Sequence, residues 1–434
     1  MGNKMMSSLL IMGELLLTMD PENRTIERGA VYVEGGRIVA LGEADKLRAN
    51  CNADLVIEEP ESLIVPGLIN CHVHFNSSLI RGLIDDLGLE EWDEEIPPPP
   101  QYGNRRWRHL ATRLVLLEMV KAGVTSYADG SGDDEDGLKE RYESGLRGFL
   151  SIRIMDEVED FRALLQLVRE RYGDRLRLML GPWWVSKVPR EVLEEVGEVA
   201  KRYGLKVRIH AAETEREVKE IRRKYGCKGS IDYLREVGLV GPNLVAVHCV
   251  HLTPEEIGML KEYDVKVVHC PTSNAKLGDG IAPLVELLKA GVTVGLGTDG
   301  MATNNCVDMF AEMKLACLLQ RAIHKDPHVI GANTVLRMAT VWAAKVLGDE
   351  RIGSLEVGKR ADLITLDLGK PHFHPRTDII SHLVYSAKPA DVRTVIVEGQ
   401  VIMRDRRVLT LDEAGILKGV QEFLPEYLDH YRRS

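Results

Sequence analysis

No stretch of this 434-residue chain supplies the ~18 uninterrupted apolar residues that a membrane-spanning helix needs, so a membrane-embedded class is set aside first. Its seven cysteines include no Cys-x-x-Cys pair and no regular spacing, which argues for free thiols and a reducing compartment rather than a disulfide framework. Basic residues are outnumbered, 56 against 66 acidic, for a net charge of -10, and they gather into no stripe. Nucleic acid is therefore a poor expectation as a partner. Internal repeats and low-complexity tracts are missing too. Near the start, Ser-Ser-Leu-Leu-Ile-Met-Gly-Glu-Leu-Leu-Leu is broken by Glu14 and followed by no small-residue cleavage site, and Met6 spoils the myristoylation pattern after Gly2. A cytoplasmic location is expected. What is present is an ordinary globular composition, 44% hydrophobic and 28% charged, on a chain too long for one ordinary core.

Against that background two histidines stand out. His72 and His74 close the apolar run Leu-Ile-Val-Pro-Gly-Leu-Ile-Asn-Cys-His-Val-His. Residues two apart on a β-strand face the same side, so the pair can grip one metal ion.

The surrounding rhythm predicts where that strand lies. Short strands over Leu15 to Met19, Ala30 to Val33 and Ile38 to Leu41, with a Gly35-Gly36 turn, imply a small β unit. Eight apolar runs follow: Leu63 to His74, Thr125 to Asp129, Phe149 to Ile154, Leu176 to Pro182, Leu205 to His210, Leu244 to His248, Val265 to His269 and Val292 to Asp299. Most are separated by helix-length segments, which predicts an α/β fold with a (β/α)8 TIM barrel. Helical segments continue to about Leu347, and strands return over Ala361 to Leu368 and Val392 to Ile402. The N-terminal β unit is too small to bury its own core, so the last strands are expected to join it in one composite β-sandwich domain. The expected division is residues 1–62 for the first part of that domain, 63–350 for the barrel, and 351–434 for the return to the β domain plus a terminal helix. Pro97 to Pro100 must form an extended loop.

Six of the thirteen histidines fall at or beside predicted strand ends: His72, His74, His210, His248, His251 and His269. Asp299 ends the eighth run. Three imidazoles and one carboxylate make a mixed nitrogen and oxygen shell suited to Zn²⁺ or Fe²⁺ with a position open for water. In His210-Ala-Ala-Glu213 the acid follows a ligand at the barrel mouth and can move protons between water and substrate. His248 could ligate the metal or polarise the substrate, while His251 and His269 could also serve only to hold loops.

Pro-Gly-Leu-Ile-Asn-Cys-His-Val-His, His-Ala-Ala-Glu-Thr, Val-His-Cys-Val-His-Leu, Ser-Asn-Ala-Lys-Leu-Gly-Asp-Gly-Ile-Ala-Pro and Gly-Thr-Asp-Gly-Met-Ala-Thr-Asn-Asn together resemble the aminohydrolase branch of the amidohydrolase superfamily. Within it the chain looks like the chlorohydrolase and methylthioadenosine/S-adenosylhomocysteine deaminase group. The resemblance runs over nearly the whole chain. It implies that His72, His74, His210 and Asp299 hold one divalent metal, zinc foremost and iron as the alternative, with Glu213 as proton shuttle, His248 as second catalytic group and Asp299 as acceptor of the water proton. It implies deamination of an aminated purine, pyrimidine or triazine ring through metal-activated water, with release of ammonia. The alternatives are expulsion of halide or an alkylamine from a triazine-type ring, or methylthioadenosine/S-adenosylhomocysteine deamination proper; a non-catalytic scaffold has no need of all six residues. The nearest lysine beyond the fourth run is Lys187, so the bridging lysine of binuclear relatives is not expected. The expected partner is a small heterocycle, a homo-oligomer is allowed, and neither nucleic acid nor membrane is expected.

Two departures concern the pocket. Nucleoside-type members carry a histidine after the Gly-Pro of strand four, where this chain has Trp183 and Trp184. They also carry a glutamate after Glu-Glu-Trp, where Gln101 stands near the expected place. Both departures weigh against adenosine-type substrates. Trp183 and Trp184 are read either as a stacking surface for a planar ring or as packing under a loop.

Overall fold

At Gly67 a single apolar run passes from one sheet into another. The computed structural model describes residues 8–83, 85–89, 91, 104–131 and 134–433; Pro97 to Pro100 and Gln101 lie outside the described residues. The first sheet begins with β1 (Ser8–Leu17), β2 (Thr25–Glu27), β3 (Gly29–Glu34), β4 (Arg37–Glu43) and β5 (Leu55–Pro66). The second is built from β6 (Leu68–His74), β7 (Val124–Asp129), β8 (Arg147–Ile154), β9 (Leu176–Pro182), β10 (Val207–Ala211), β11 (Leu244–His248), β12 (Lys266–His269), β13 (Val294–Leu296) and β14 (Asp299–Gly300). The chain then returns to the first sheet with β15 (Leu363–Asp367), β16 (Val392–Val397), β17 (Gln400–Arg404) and β18 (Arg407–Val408). A Cβ on Gly67 would lie 2.1 Å from the Thr125 side chain, so only glycine lets the backbone cross this close to β7.

The second sheet is a parallel barrel. Strands β6 to β13 pair in chain order, and β14 closes the ring on β6, with Asp299 opposite Val73 and Gly300 opposite His74. β9 and β11 coincide with two of the expected runs. The eighth strand is split into β13 and β14, and a side chain bridges the seam: the Thr298 N–H donates to Asn70 Oδ1 at 3.1 Å, and Asn70 Nδ2 donates to Thr298 Oγ1 at 2.7 Å. Ile69, Ala128, Phe149, Met179, Val245 and Val268 cluster with Ala343 and Leu347 of the helix Val341–Leu347. Outside the ring, helices lay one apolar stripe on the strands. Arg190–Tyr203, for example, buries Val192, Val196 and Ala200, spaced four apart.

The composite domain is one mixed sheet made by both ends of the chain. β5 runs parallel to β1 and antiparallel to β15, with Leu63 opposite Leu366. The sheet bends over a shared core containing Ile11, Val31, Ile64, Leu363 and Ile396. The turn between β3 and β4 meets the segment leading into β15, since Gly36 accepts the Ala361 N–H at 3.0 Å.

An ion pair fastens the two sheets together. Arg147, at the start of β8, faces Asp362, just before β15, through two contacts of 3.0 and 3.3 Å, and both side chains are buried. Replacing one member strands the other charge in a dry environment. Asp362→Ala is expected to lower unfolding stability by about 3–5 kcal/mol, measured by urea denaturation. Arg147→Met combined with Asp362→Leu should recover much of that loss. A single-variant cost near zero would mean that water reaches this junction.

Among the described residues, no helix is long and apolar enough to cross a membrane.

Candidate metal centre and active site

Four atoms that could hold a metal ion converge at the C-terminal mouth of the barrel. His72 and His74 come from the end of β6, His210 from β10 and Asp299 from β14. His74 Nε2 and His72 Nε2 each lie 3.3 Å from His210 Nε2, and Asp299 Oδ1 is 3.2 Å from His72 Nε2 and 3.4 Å from His74 Nε2. Tetrahedral zinc with bonds of about 2.0–2.1 Å needs ligand atoms about 3.3–3.4 Å apart. The donor set and its spacing therefore fit one zinc-sized divalent cation. Nitrogen atoms of His72, His210 and His248 also lie within 4.8 Å of one another, which puts His248 at the edge of this cage.

Neighbouring groups aim the ligands. His210 Nδ1 donates to the Trp183 carbonyl at 2.5 Å, which leaves the Nε2 lone pair facing the cage. Asp299 Oδ2 accepts from the hydroxyls of Ser273 at 2.6 Å and Thr303 at 2.9 Å, so Oδ1 is left for the histidines. Below the ligands lies a buried guanidinium: Arg208 donates to Ser151 Oγ at 3.0 Å, and its Nη1 is 3.1 Å from His72 Nδ1. A Cβ on Gly130 would come within 2.6 Å of Arg208 Nη2 and 2.7 Å of His74 Cε1, so this position must stay bare for both groups to fit.

Burial sets the charge states. It pushes the His72 imidazole down to about 4 and those of His74 and His210 well below their ordinary value, which keeps them neutral and able to ligate. Burial works against ionisation of Asp299, but the hydrogen bond from His72 holds its carboxyl well below the usual range. Glu213 goes the opposite way: burial, and then the negative charge of Asp299, raise it well above an ordinary glutamate. Two carboxyls at one mouth thus differ in proton affinity, as acid and base roles require.

Glu213 is placed by its own backbone. Ala212 takes a left-handed φ of 52°, and the buried Glu217 accepts the N–H groups of Ala212 at 2.8 Å and Glu213 at 3.2 Å. Its carboxylate then lies between two rings. Oε2 accepts the indole N–H of Trp184 at 2.9 Å, and Oε1 faces His248 Nε2 at 3.3 Å. His248 Nδ1 donates to Asn274 Oδ1 at 2.9 Å, which fixes the ring.

A model of the amidohydrolase family matches residues 63–402. The chain belongs to the amidohydrolase family. A shorter match, to an imidazolonepropionase-like composite domain of bacteria, covers residues 29–50, which form β3, β4 and the helix after them. This amidohydrolase is similar to the 5'-deoxyadenosine deaminase of Methanosarcina acetivorans, with 41% identity over 423 residues, 95% of this chain and 96% of that one. It is similar also to the 5-methylthioadenosine/S-adenosylhomocysteine deaminase of Caldanaerobacter subterraneus subsp. tengcongensis, with 40% identity over 426 residues, 96% and 97% of the two chains. An adenosine deaminase from Xanthomonas campestris, solved with bound zinc, superposes with a TM-score of 0.89 at 30% identity, over 98% of this chain and 99% of that one.

Not every residue singled out in the amidohydrolase sequence reaches this cavity. Trp183 and Trp184 line it together with Leu89, Asn76, Ala302 and Thr303. Trp183 packs its ring 5.0 Å from His74 and 5.2 Å from His210, as a wall of the cage. His251 and His269 do not line the cavity; His251 Nε2 donates to the Asp279 carbonyl at 2.8 Å, a loop contact. Gln101 lies outside the described residues. Sequence reasoning missed Arg208, Ser273, Thr303, Asn274 and Glu217. Arg208 was within reach, because it stands two residues before His210 on one strand and so shares its face.

Proposed function

We propose that this chain is a metal-dependent deaminase that replaces a ring amino group of an N-heterocycle by oxygen and releases ammonia, and that 5'-substituted adenosines are its substrate class. The observation that carries the reaction is the four-atom cage with a carboxyl of raised proton affinity at its rim. The substrate class rests on the relatives at about 40% identity, whose names specify 5'-deoxyadenosine, methylthioadenosine and S-adenosylhomocysteine.

His72, His74, His210 and Asp299 would hold the divalent ion, which when bound supplies Lewis acidity that makes water nucleophilic near neutral pH. The residues do the rest. Asp299 accepts a proton from the attacking water, and Glu213 delivers one to the ring nitrogen beside the reacting carbon. His248, fixed by Asn274, faces the charge that builds up on the adduct. Trp183 and Leu89 line the cavity and give it apolar walls. The exchange balances as ring amine plus water giving ring carbonyl plus ammonia.

Trp183 favours a second reading. An indole stands where nucleoside-type members carry a histidine, and its flat wall suits an unglycosylated ring. Ammonia release from 5'-deoxyadenosine, methylthioadenosine, S-adenosylhomocysteine, adenine, aminopyrimidines and aminotriazines separates the two readings. The 5'-substituted adenosines are expected to give the highest kcat/KM. A preference for free bases, reversed by Trp183→His, would establish the second reading, and ammonia from none of them would overturn the first.

A further inference from the structure

The indole of Trp184 reaches from just past β9 to the acid beyond β10. Its backbone forms a parallel bridge with His210, the next residue's N–H donates to the His210 carbonyl at 3.3 Å, and the Lys187 ammonium sits 4.3 Å from the centre of its ring. The ring is therefore held both by the strand that carries a metal ligand and by a cation on its face. Its N–H points at Glu213 Oε2, 2.9 Å away, while Glu213 Oε1 is turned towards His248.

We propose that Trp184 is a positioning residue that locks the Glu213 carboxylate, so that Oε1 alone carries protons. The inference rests on the proton-carrying role proposed for Glu213. An indole N–H donates and cannot accept, so the oxygen it holds stays committed to accepting that bond. A carboxylate without this bond can turn and exchange its two oxygens, and it then spends time out of line with the reacting nitrogen. With the lock in place, Oε1 hands one proton to the ring nitrogen and takes one back from the hydroxyl of the adduct as the ring carbonyl forms, so the carboxyl is restored in each cycle. The donor lies one position beyond the departure at Trp183. It gives that departure a second consequence besides the shape of the pocket: the segment that lost a polar side chain at one residue supplies a polar contact at the next.

The test is a double-mutant cycle in metal-loaded enzyme. Trp184→Phe keeps an aromatic ring and removes the donor. It is expected to lower kcat roughly tenfold to a hundredfold, the range for a hydrogen bond to a charged group. KM should move by less than about threefold, because the bond is made to the enzyme's acid rather than to the substrate. Metal content and the thermal unfolding midpoint should match the parent. In a Glu213→Gln background the same substitution should change residual kcat by less than about twofold, because the proton carrier whose alignment it fixes is already gone. Equal losses in both backgrounds, or no loss in the parent, overturn the proposal. Should Trp184→Phe fold poorly, benzothienylalanine at position 184 keeps the bicyclic shape and lacks only the N–H, and the same outcomes apply. A parent enzyme that deaminates none of the rings tested would sink the functional reading instead, whereas an active parent indifferent to the substitution sinks only the role of Trp184.

Discussion

Glu213→Gln is expected to keep a full complement of metal and lose turnover by ~100-fold to 10,000-fold, the span for a general acid-base group. The amide has nearly the shape of the acid. It can still accept the Trp184 N–H, and Glu213 supplies none of the four converging ligand atoms, so the cage should be undisturbed. What it loses is the capacity to take up and release a proton at the mouth. Steady-state kcat alongside elemental analysis of the purified variant gives both readouts. Near-normal turnover would remove Glu213 from the proton path, and loss of metal would mean that it belongs to the cage.

Stripping the metal should have an effect of similar size. Removal by a chelator, or His74→Ala, is expected to cut activity at least ~1,000-fold, since Lewis-acid activation is worth several kcal/mol. One equivalent of Zn²⁺ should restore the chelated protein and leave the alanine variant largely inactive. The stripped enzyme should also unfold at a lower temperature, because an ion that binds only the folded cage stabilises it. Restoration that requires two equivalents, with activity following the second, would contradict a single cage built from three histidines and Asp299.

Much of this site is legible in the amino-acid sequence. Two rules carry it: residues two apart on a strand share a face, and parallel barrels place function at the C-terminal ends of their strands. Together they gather His72, His74, His210 and Asp299 from three separate segments of the chain. The barrel and its composite partner are legible for a related reason, since continuous apolar runs alternating with amphipathic helices leave few arrangements open.

What stays hidden depends on how strands sit against one another. The run from Leu63 to His74 is apolar throughout, and hydrophobicity alone does not tell that Pro66 ends one sheet and Leu68 begins another. The contact from Trp184 to Glu213 spans 29 positions and exists because β9 and β10 pair with Val207 opposite Leu180. Ser273 and Thr303 are visible inside motifs, but that both hydroxyls reach one oxygen of Asp299 is not. Arg208 escapes notice because a charge inside a barrel runs against the ordinary expectation for strand interiors.

The meeting of the chain's two ends in one sheet also sets a timetable for the ribosome. β5 is complete at Pro66, yet its partner β15 begins at Leu363. At ~5–20 residues per second those roughly 300 intervening residues take about 15–60 s to synthesise. Through that interval the nascent chain carries Leu63, Ile64 and Val65 on an unpaired strand edge, an invitation to pair with a neighbouring chain. His72 and His74 leave the exit tunnel early in the same interval and wait for Asp299 near its end. A metal ion met too soon would find two or three ligands of four, so secure loading belongs to the last stages of synthesis.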